Sequence, residues 1–223
     1  MKNGKKKSVI IEAKNLYKTI QDVDILKNIN LQVYTGEKIA LVGESGAGKT
    51  TLLQILGLLD QFSSGELVLK DTSMACMRDV EKTHMRLNHI GFVYQQHHLI
   101  EELTVKENIL LPLFIAKKDH EDKILSLVQT LGLCDLLHRM PHTLSGGEKQ
   151  RVSILRAIAN FPEIILADEP TGNLDSANAT LTMDLFLKLA RLYKMTLIIV
   201  THNLDIAHRM DRIIKMKDGA FVE

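Results

Sequence analysis

The segment Gly43-Glu44-Ser45-Gly46-Ala47-Gly48-Lys49-Thr50 sits between two apolar stretches of different period, and this restricts the fold more than any other feature. Upstream, Lys38 to Val42 is a short, mostly apolar run, as in a strand buried on both faces. Downstream, Thr51 to Leu59 places apolar residues at helical spacing. Strand, glycine-rich loop and helix in this order predict a phosphate cradle. The backbone wraps so that several N–H groups point inward, and the helix N-terminus adds positive potential. Lys49 is expected to reach the β- and γ-phosphates of a nucleotide and Thr50 to offer its hydroxyl to Mg²⁺. The missing side chains at Gly46 and Gly48 leave room for the phosphates to approach.

Two further apolar runs, Ile164 to Ala167 and Leu197 to Val200, also read as strands of a buried parallel sheet, and each ends in polar residues. Asp168 and Glu169 thereby fall at the carboxyl end of a strand, where open α/β sheets bind ligands. Asp168 is expected in the Mg²⁺ shell, and Glu169 is expected to orient and partly deprotonate an attacking water. His202, just past Val200, would hydrogen-bond a γ-phosphate and stabilise charge there. Gln95 follows the short apolar strand Phe92-Val93-Tyr94, and its amide is placed to sense both the metal and the water.

Leu144-Ser145-Gly146-Gly147-Glu148 has the spacing of a capping box, with an N-cap serine and a glutamate three residues on. Capping alone does not explain two glycines in a first helical turn, which cost about 1 kcal/mol each against alanine. Close approach of an anion does explain them, and a serine hydroxyl beside bare N–H groups suits a γ-phosphate. The Gly43 loop already holds one nucleotide's phosphates, so this second cradle is expected to serve the ATP of a second copy of the chain. The helix it starts should end before Pro162.

Upstream of Lys38 and again at Glu66 to Leu69 the pattern changes. Val9 to Glu12, Ile29 to Val33 and Glu66 to Leu69 read as strands of an antiparallel layer beside the main sheet. From about Val105 to Ala159 the spacing is helical, as in an inserted subdomain. The expected class is α/β: a single domain over 1–223, with a nucleotide-binding core over about 1–90 and 160–223 and a helical subdomain over about 95–159. No regulatory tail domain is expected after Lys217-Asp218-Gly219.

Charge and cysteines narrow the partners. Lys plus Arg number 28 and Asp plus Glu 27, a balance that argues against a nucleic-acid backbone as partner. The local basic cluster Lys2, Lys5, Lys6 and Lys7 reads as a solvated tail, with anionic lipid as the alternative. Cys76 and Cys134 match no metal or redox spacing, so structural thiols in a reducing, cytosolic setting are expected. The longest apolar run, Ile109 to Ala116, contains Pro112 and falls far short of the roughly 20 residues of a membrane span.

Taken together, these segments resemble the nucleotide-binding subunits of ABC transporters over essentially the whole chain, and Leu144 to Arg151 is the most specific piece. The resemblance implies a P-loop NTPase core of the RecA-like type, with Gly43 to Thr51 as the Walker A loop and Gln95 as the Q-loop. Leu144 to Glu148 is then the signature, Ile164 to Glu169 Walker B, Asp175 the D-loop and His202 the H-loop. It further implies ATP and Mg²⁺ as cofactors, a head-to-tail dimer with two ATP molecules between the copies, and a permease partner with transmembrane helices. The chain would then lie at the cytoplasmic face of a bacterial inner membrane.

Within that family, Ala167 to Asp175 is similar to the branch of lipoprotein-releasing, macrolide-efflux and cell-division ATPases, and Tyr94-Gln95-Gln96-His97-His98-Leu99 looks most like the lipoprotein-releasing type. A macrolide-efflux exporter or a division-type regulatory ATPase is the alternative. Ile20 stands about where the family has an aromatic that stacks on adenine, and Tyr17 is the nearest aromatic. A GTPase is disfavoured because no Asn-Lys-x-Asp segment occurs.

Overall fold

The computed structural model describes residues 8–222, so the Lys2 to Lys7 cluster lies outside the described residues. The chain first runs through β1 (Val9–Ile20) and β2 (Val23–Tyr34), then β3 (Lys38–Val42) and α1 (Lys49–Leu56). There follow β4 (Ser64–Leu69), β5 (Thr72–Ser73), α2 (Asp79–His89) and β6 (Ile90–Tyr94). Three helices come next, α3 (Val105–Ala116), α4 (Glu121–Thr130) and α5 (Gly146–Ile158). The last part is β7 (Ile164–Asp168), α6 (Ser176–Leu192), β8 (Thr196–Val200), α7 (Leu204–Ala207), β9 (Arg212–Lys217) and β10 (Ala220–Val222).

The strands form two sheets. The antiparallel sheet has the order β2-β1-β4-β5, as the upstream patterning predicts, although β1 and β2 are far longer than their apolar segments. The larger sheet has the order β10-β9-β3-β8-β7-β6, parallel throughout except where β10 returns against β9. Its central strands β3 and β8 are buried at every residue, the signature of a sheet covered on both faces.

Alternation along those strands divides the core. Ile164, Leu166, Ile198 and Val200 face α1 and the antiparallel layer, joining Ile11, Leu16, Leu52 and Ile55 in one apolar cluster. Their neighbours Ile165, Ala167, Leu197 and Ile199 face the other way, into a cluster with Ile109 of α3, Ile124 of α4, Leu155 of α5 and Phe186 of α6. Phe186 is fully buried there. Of the helices after Val105, α5 packs on β6, and α3 and α4 pack against α5.

Register then levels the functional ends of the strands. Leu41 pairs with Val200, Val200 with Asp168, and Asp168 with Tyr94. The segments that leave these positions, Gly43 to Gly48, Thr201-His202, Glu169 and Gln95, emerge side by side along one edge. No helix among the described residues is long and apolar enough to cross a membrane. Cys76 and Cys134 are both exposed and unpaired, so neither is a packed structural thiol, contrary to the sequence expectation.

Candidate functional site

The loop after β3 is shaped by two glycines that meet their own protein. At Gly43 (φ 155°) a Cβ would lie 2.1 Å from the Met216 carbonyl oxygen, and at Gly48 (φ 94°) 2.8 Å from that of Ile25. Gly48 is thus required by packing against β2 and β9 as well as by its left-handed backbone. Gly46 (φ 81°) has nothing within 4 Å of its Cβ position, so backbone conformation and open approach are its reasons. Gly48 is the N-cap of α1 and gives no side-chain cap, which leaves the first-turn N–H groups to an outside acceptor.

A cleft of about 470 Å³ opens over this loop. Its walls are Gly43, Ser45, Gly46 and Gly48 with Lys49, Thr50 and Thr51 on one side, and Gln95, Asp168, Glu169 and His202 on the other. Glu44 and Ala47 belong to the same loop but not to the walls: the Glu44 side chain is exposed, and Ala47 is buried in the core. The Lys49 ammonium donates to the carbonyls of Gly43 (2.8 Å) and Glu44 (2.7 Å), so it is held on its own loop.

Thr50 donates its hydroxyl to Asp168 Oδ2 at 2.9 Å, joining the start of α1 to the end of β7. Burial pushes the Asp168 carboxyl above its ordinary range, against the opposing pull of Thr50 and Lys49. A partly desolvated carboxylate of this kind favours a cation beside it. Among the described residues no group of three or more His, Cys, Asp or Glu is arranged to hold a metal ion by itself. One carboxylate, one hydroxyl and an amide form an oxygen donor set that fits Mg²⁺, which takes its remaining ligands from water and phosphate.

Glu169 occupies a left-handed backbone conformation (φ 44°), uncommon for a residue with a side chain, and its N–H donates to the Val200 carbonyl at 3.0 Å. Its Oε1 lies 2.9 Å from His202 Nδ1. A carboxylate only accepts, so Nδ1 carries the proton and the ring is oriented by Glu169. The Glu169 side chain is only 19% exposed and that of His202 74%, so the pair runs from the cleft floor to its rim.

Gln95 lines the cleft while clasped by the segment after β7. Its Nε2 donates to Asn173 Oδ1 at 2.9 Å, and Asn173 Nδ2 donates back to the Gln95 carbonyl at 3.1 Å. Behind it, His97 (φ 56°) and His98 (φ 47°) are both left-handed, and the mostly buried Arg156 of α5 donates to their carbonyls at 2.7 and 2.6 Å. Burial depresses the His97 imidazole, and Lys149 adds to that effect. Asn173 and Arg156 were not singled out in the sequence. A guanidinium amid the apolar spacing of α5 was the available signal for Arg156, whereas Asn173 carried none beyond its neighbours.

Ser145 to Glu148 and Asp175 do not line the cleft. Ser145 caps α5 as the spacing predicts: its N–H and its hydroxyl both donate to Glu148 Oε2, at 2.7 and 2.8 Å, and the Glu148 N–H approaches Ser145 Oγ at 3.4 Å. These bonds hold the Glu148 carboxyl below its usual range. For Gly147 the structure supplies a reason other than an anion, since a Cβ there would meet Asn178 Oδ1 at 3.1 Å. Gly146 has no neighbour nearer than Leu174 Cδ2 at 3.5 Å, so nothing inside the chain demands a glycine. Asp175 is the N-cap of α6, accepting from the Asn178 backbone (3.0 Å) and amide (2.7 Å), bonds that lower its carboxyl. Neither Ile20 nor Tyr17 reaches the cleft. Ile20 stands 47% exposed beside the β1–β2 turn, and Ile25 of β2 provides the apolar wall.

Comparison with known proteins adds independent findings. A family model described as "ABC transporter" matches residues 26–172. The chain is 42% identical over 219 residues to the lipoprotein-releasing system ATP-binding protein LolD of Legionella pneumophila, covering 95% of this chain and 96% of that one. It is 44% identical over 216 residues to the protein of the same name in Cytophaga hutchinsonii, covering 96% and 99%. Its fold is similar to the dimeric post-hydrolysis state of the ATP-binding cassette MJ0796 bound to ADP and Pi. That match has a TM-score of 0.88 at 38% identity and covers 96% and 97% of the two chains.

Proposed function

The chain belongs to the ABC transporter family, and on that premise we propose that two copies of it hydrolyse ATP to drive lipoprotein release from a bacterial inner membrane. It is an ATP-binding ATPase subunit of that family. One observation carries the proposal for the site: Lys49, Thr50, Asp168, Glu169 and His202 gather in one cleft, and the Ser145 helix start stays outside it.

Each chain contributes most of a reaction centre and borrows the rest. The bare N–H groups of α1 and Lys49 bind the β- and γ-phosphates, while Thr50, Gln95 and Asp168 hold Mg²⁺. Mg²⁺ bound there would supply positive charge to offset that of the phosphates. Glu169 orients the attacking water and takes its proton, and His202, steered by Glu169, faces the γ-phosphate. Ser145, Gly146, Gly147 and Glu148 meet the ATP of the second copy, in a head-to-tail dimer that Asp175 helps to close. The dimeric ATP-binding cassette of similar fold supports this arrangement, and the relatives named for lipoprotein release support the cargo. On this reading the chain sits at the cytoplasmic membrane face through transmembrane permease subunits.

Affinity purification of the full chain from native membranes tests this reading. Transmembrane subunits whose vesicles give up acylated proteins only with ATP are expected. A drug-efflux permease or a division protein as the partner would overturn the cargo and leave the ATPase chemistry intact.

A further inference from the structure

We propose that Asn173 is a positioning residue that decides which end of the Gln95 carboxamide meets the metal. Asn173 Nδ2 donates to the Gln95 carbonyl oxygen, an atom that only accepts, so the opposite end of the Asn173 amide is its oxygen. That oxygen takes the Gln95 Nε2 proton at 2.9 Å. The NH₂ end of Gln95 is therefore committed to Asn173, which leaves Oε1 as the uncommitted end of a side chain that lines the cleft with Thr50 and Asp168. A hard cation takes oxygen and finds no lone pair on an amide NH₂.

The neighbouring residue accommodates this clasp. At Gly172 a Cβ would lie 2.7 Å from Gln95 Nε2 and 3.0 Å from its Cδ, so the missing side chain lets the amide lie against the loop. Asn173 also stands two residues before the helix cap Asp175, so the clasp ties Gln95 to the segment that starts α6.

This inference rests on Gln95 being a metal ligand, and the test separates the two ideas. Mn²⁺ is titrated into the full chain with a non-hydrolysable ATP analogue, and free Mn²⁺ is read by electron paramagnetic resonance. Asn173→Ala is expected to weaken Mn²⁺ about fivefold, the worth of one ordinary hydrogen bond. Binding of the analogue in EDTA should stay within about twofold, since no phosphate contact is removed. Gln95→Glu has oxygen at both ends, so adding Asn173→Ala to it should cost less than about twofold. An equal loss in both backgrounds overturns the proposal, because Asn173 would then hold the loop and not the amide. Unchanged Mn²⁺ binding in Asn173→Ala, with a loss in Gln95→Ala, also overturns it and leaves Gln95 as ligand. Unchanged binding in Gln95→Ala removes Gln95 from the metal and this inference with it.

Discussion

Helices α1 and α5 both begin at a glycine-rich segment suited to an anion, yet they are finished in opposite ways. The start of α1 has no side-chain cap, is walled by residues from three other strand ends, and sits over a partly buried carboxylate. The start of α5 is closed upon itself, with the Ser145 hydroxyl and backbone already bound to Glu148. One is a pocket built within a chain, and the other is an exposed helix end whose hydroxyl is engaged with Glu148. On the proposed reading, a helix end of the second kind gains its purpose only when another surface is pressed against it.

Four experiments press on that contrast. Glu169→Gln should lower turnover by about a hundredfold or more while ATP still binds and dimers accumulate on a sizing column. Normal turnover would strip the α1 cleft of its chemistry. Ser145→Arg should reduce hydrolysis by more than about tenfold with monomer affinity for ATP within about twofold, because the added bulk lies outside that cleft. A matching loss of monomer affinity would place Ser145 in the chain's own pocket and erase the contrast. Gly146→Ala should raise thermal stability by up to about 1 kcal/mol through helix propensity, and slow turnover severalfold if a phosphate approaches there. Unslowed turnover would leave the α5 start as a plain capped helix.

The smallest effect is a pair of opposite pH dependences. Glu148 has a lowered native pKa, so its contribution is present above the ordinary carboxylate value and is lost as pH falls through the lowered one. The melting-temperature advantage of wild type over Glu148→Gln should therefore close in acid. Asp168 has a raised native pKa, so its ionised form is a cost above that value. Asp168→Asn should melt higher than wild type at neutral pH, and this gap should vanish below an ordinary aspartate pKa of about 3.9. Parallel curves for the two variants would mean that the helix starts share one electrostatic character.

The α1 cleft was far more legible in the sequence than its surroundings. Gly43 to Thr50, Asp168-Glu169 and the capping box are local patterns in which spacing and chemistry coincide, and the strands before them are continuous apolar runs. Turns without glycine concealed the antiparallel layer's true length: Gln21 and Asp22 (φ 47° and 64°) close the β1–β2 hairpin, and Lys70 and Asp71 (φ 49° and 60°) the next one. The polar α2 has no buried residue and so no apolar face to betray it. Ile25 as a cleft wall, Asn178 crowding Gly147 and the Asn173 clasp depend on segments meeting in space, which no local period encodes.

The level ends of β3, β8, β7 and β6 carry a consequence for how such a chain can vary. Adding one residue inside any of these strands would advance its terminal group by about 3.3 Å and turn its side chains to the opposite face. A carboxylate so displaced would miss its hydroxyl partner, and the apolar residues behind it would trade one core for the other. Strand length here works as a gauge block: helices and loops at the far edge are at liberty to grow or shrink, but the spans that measure the distance to the cleft are not.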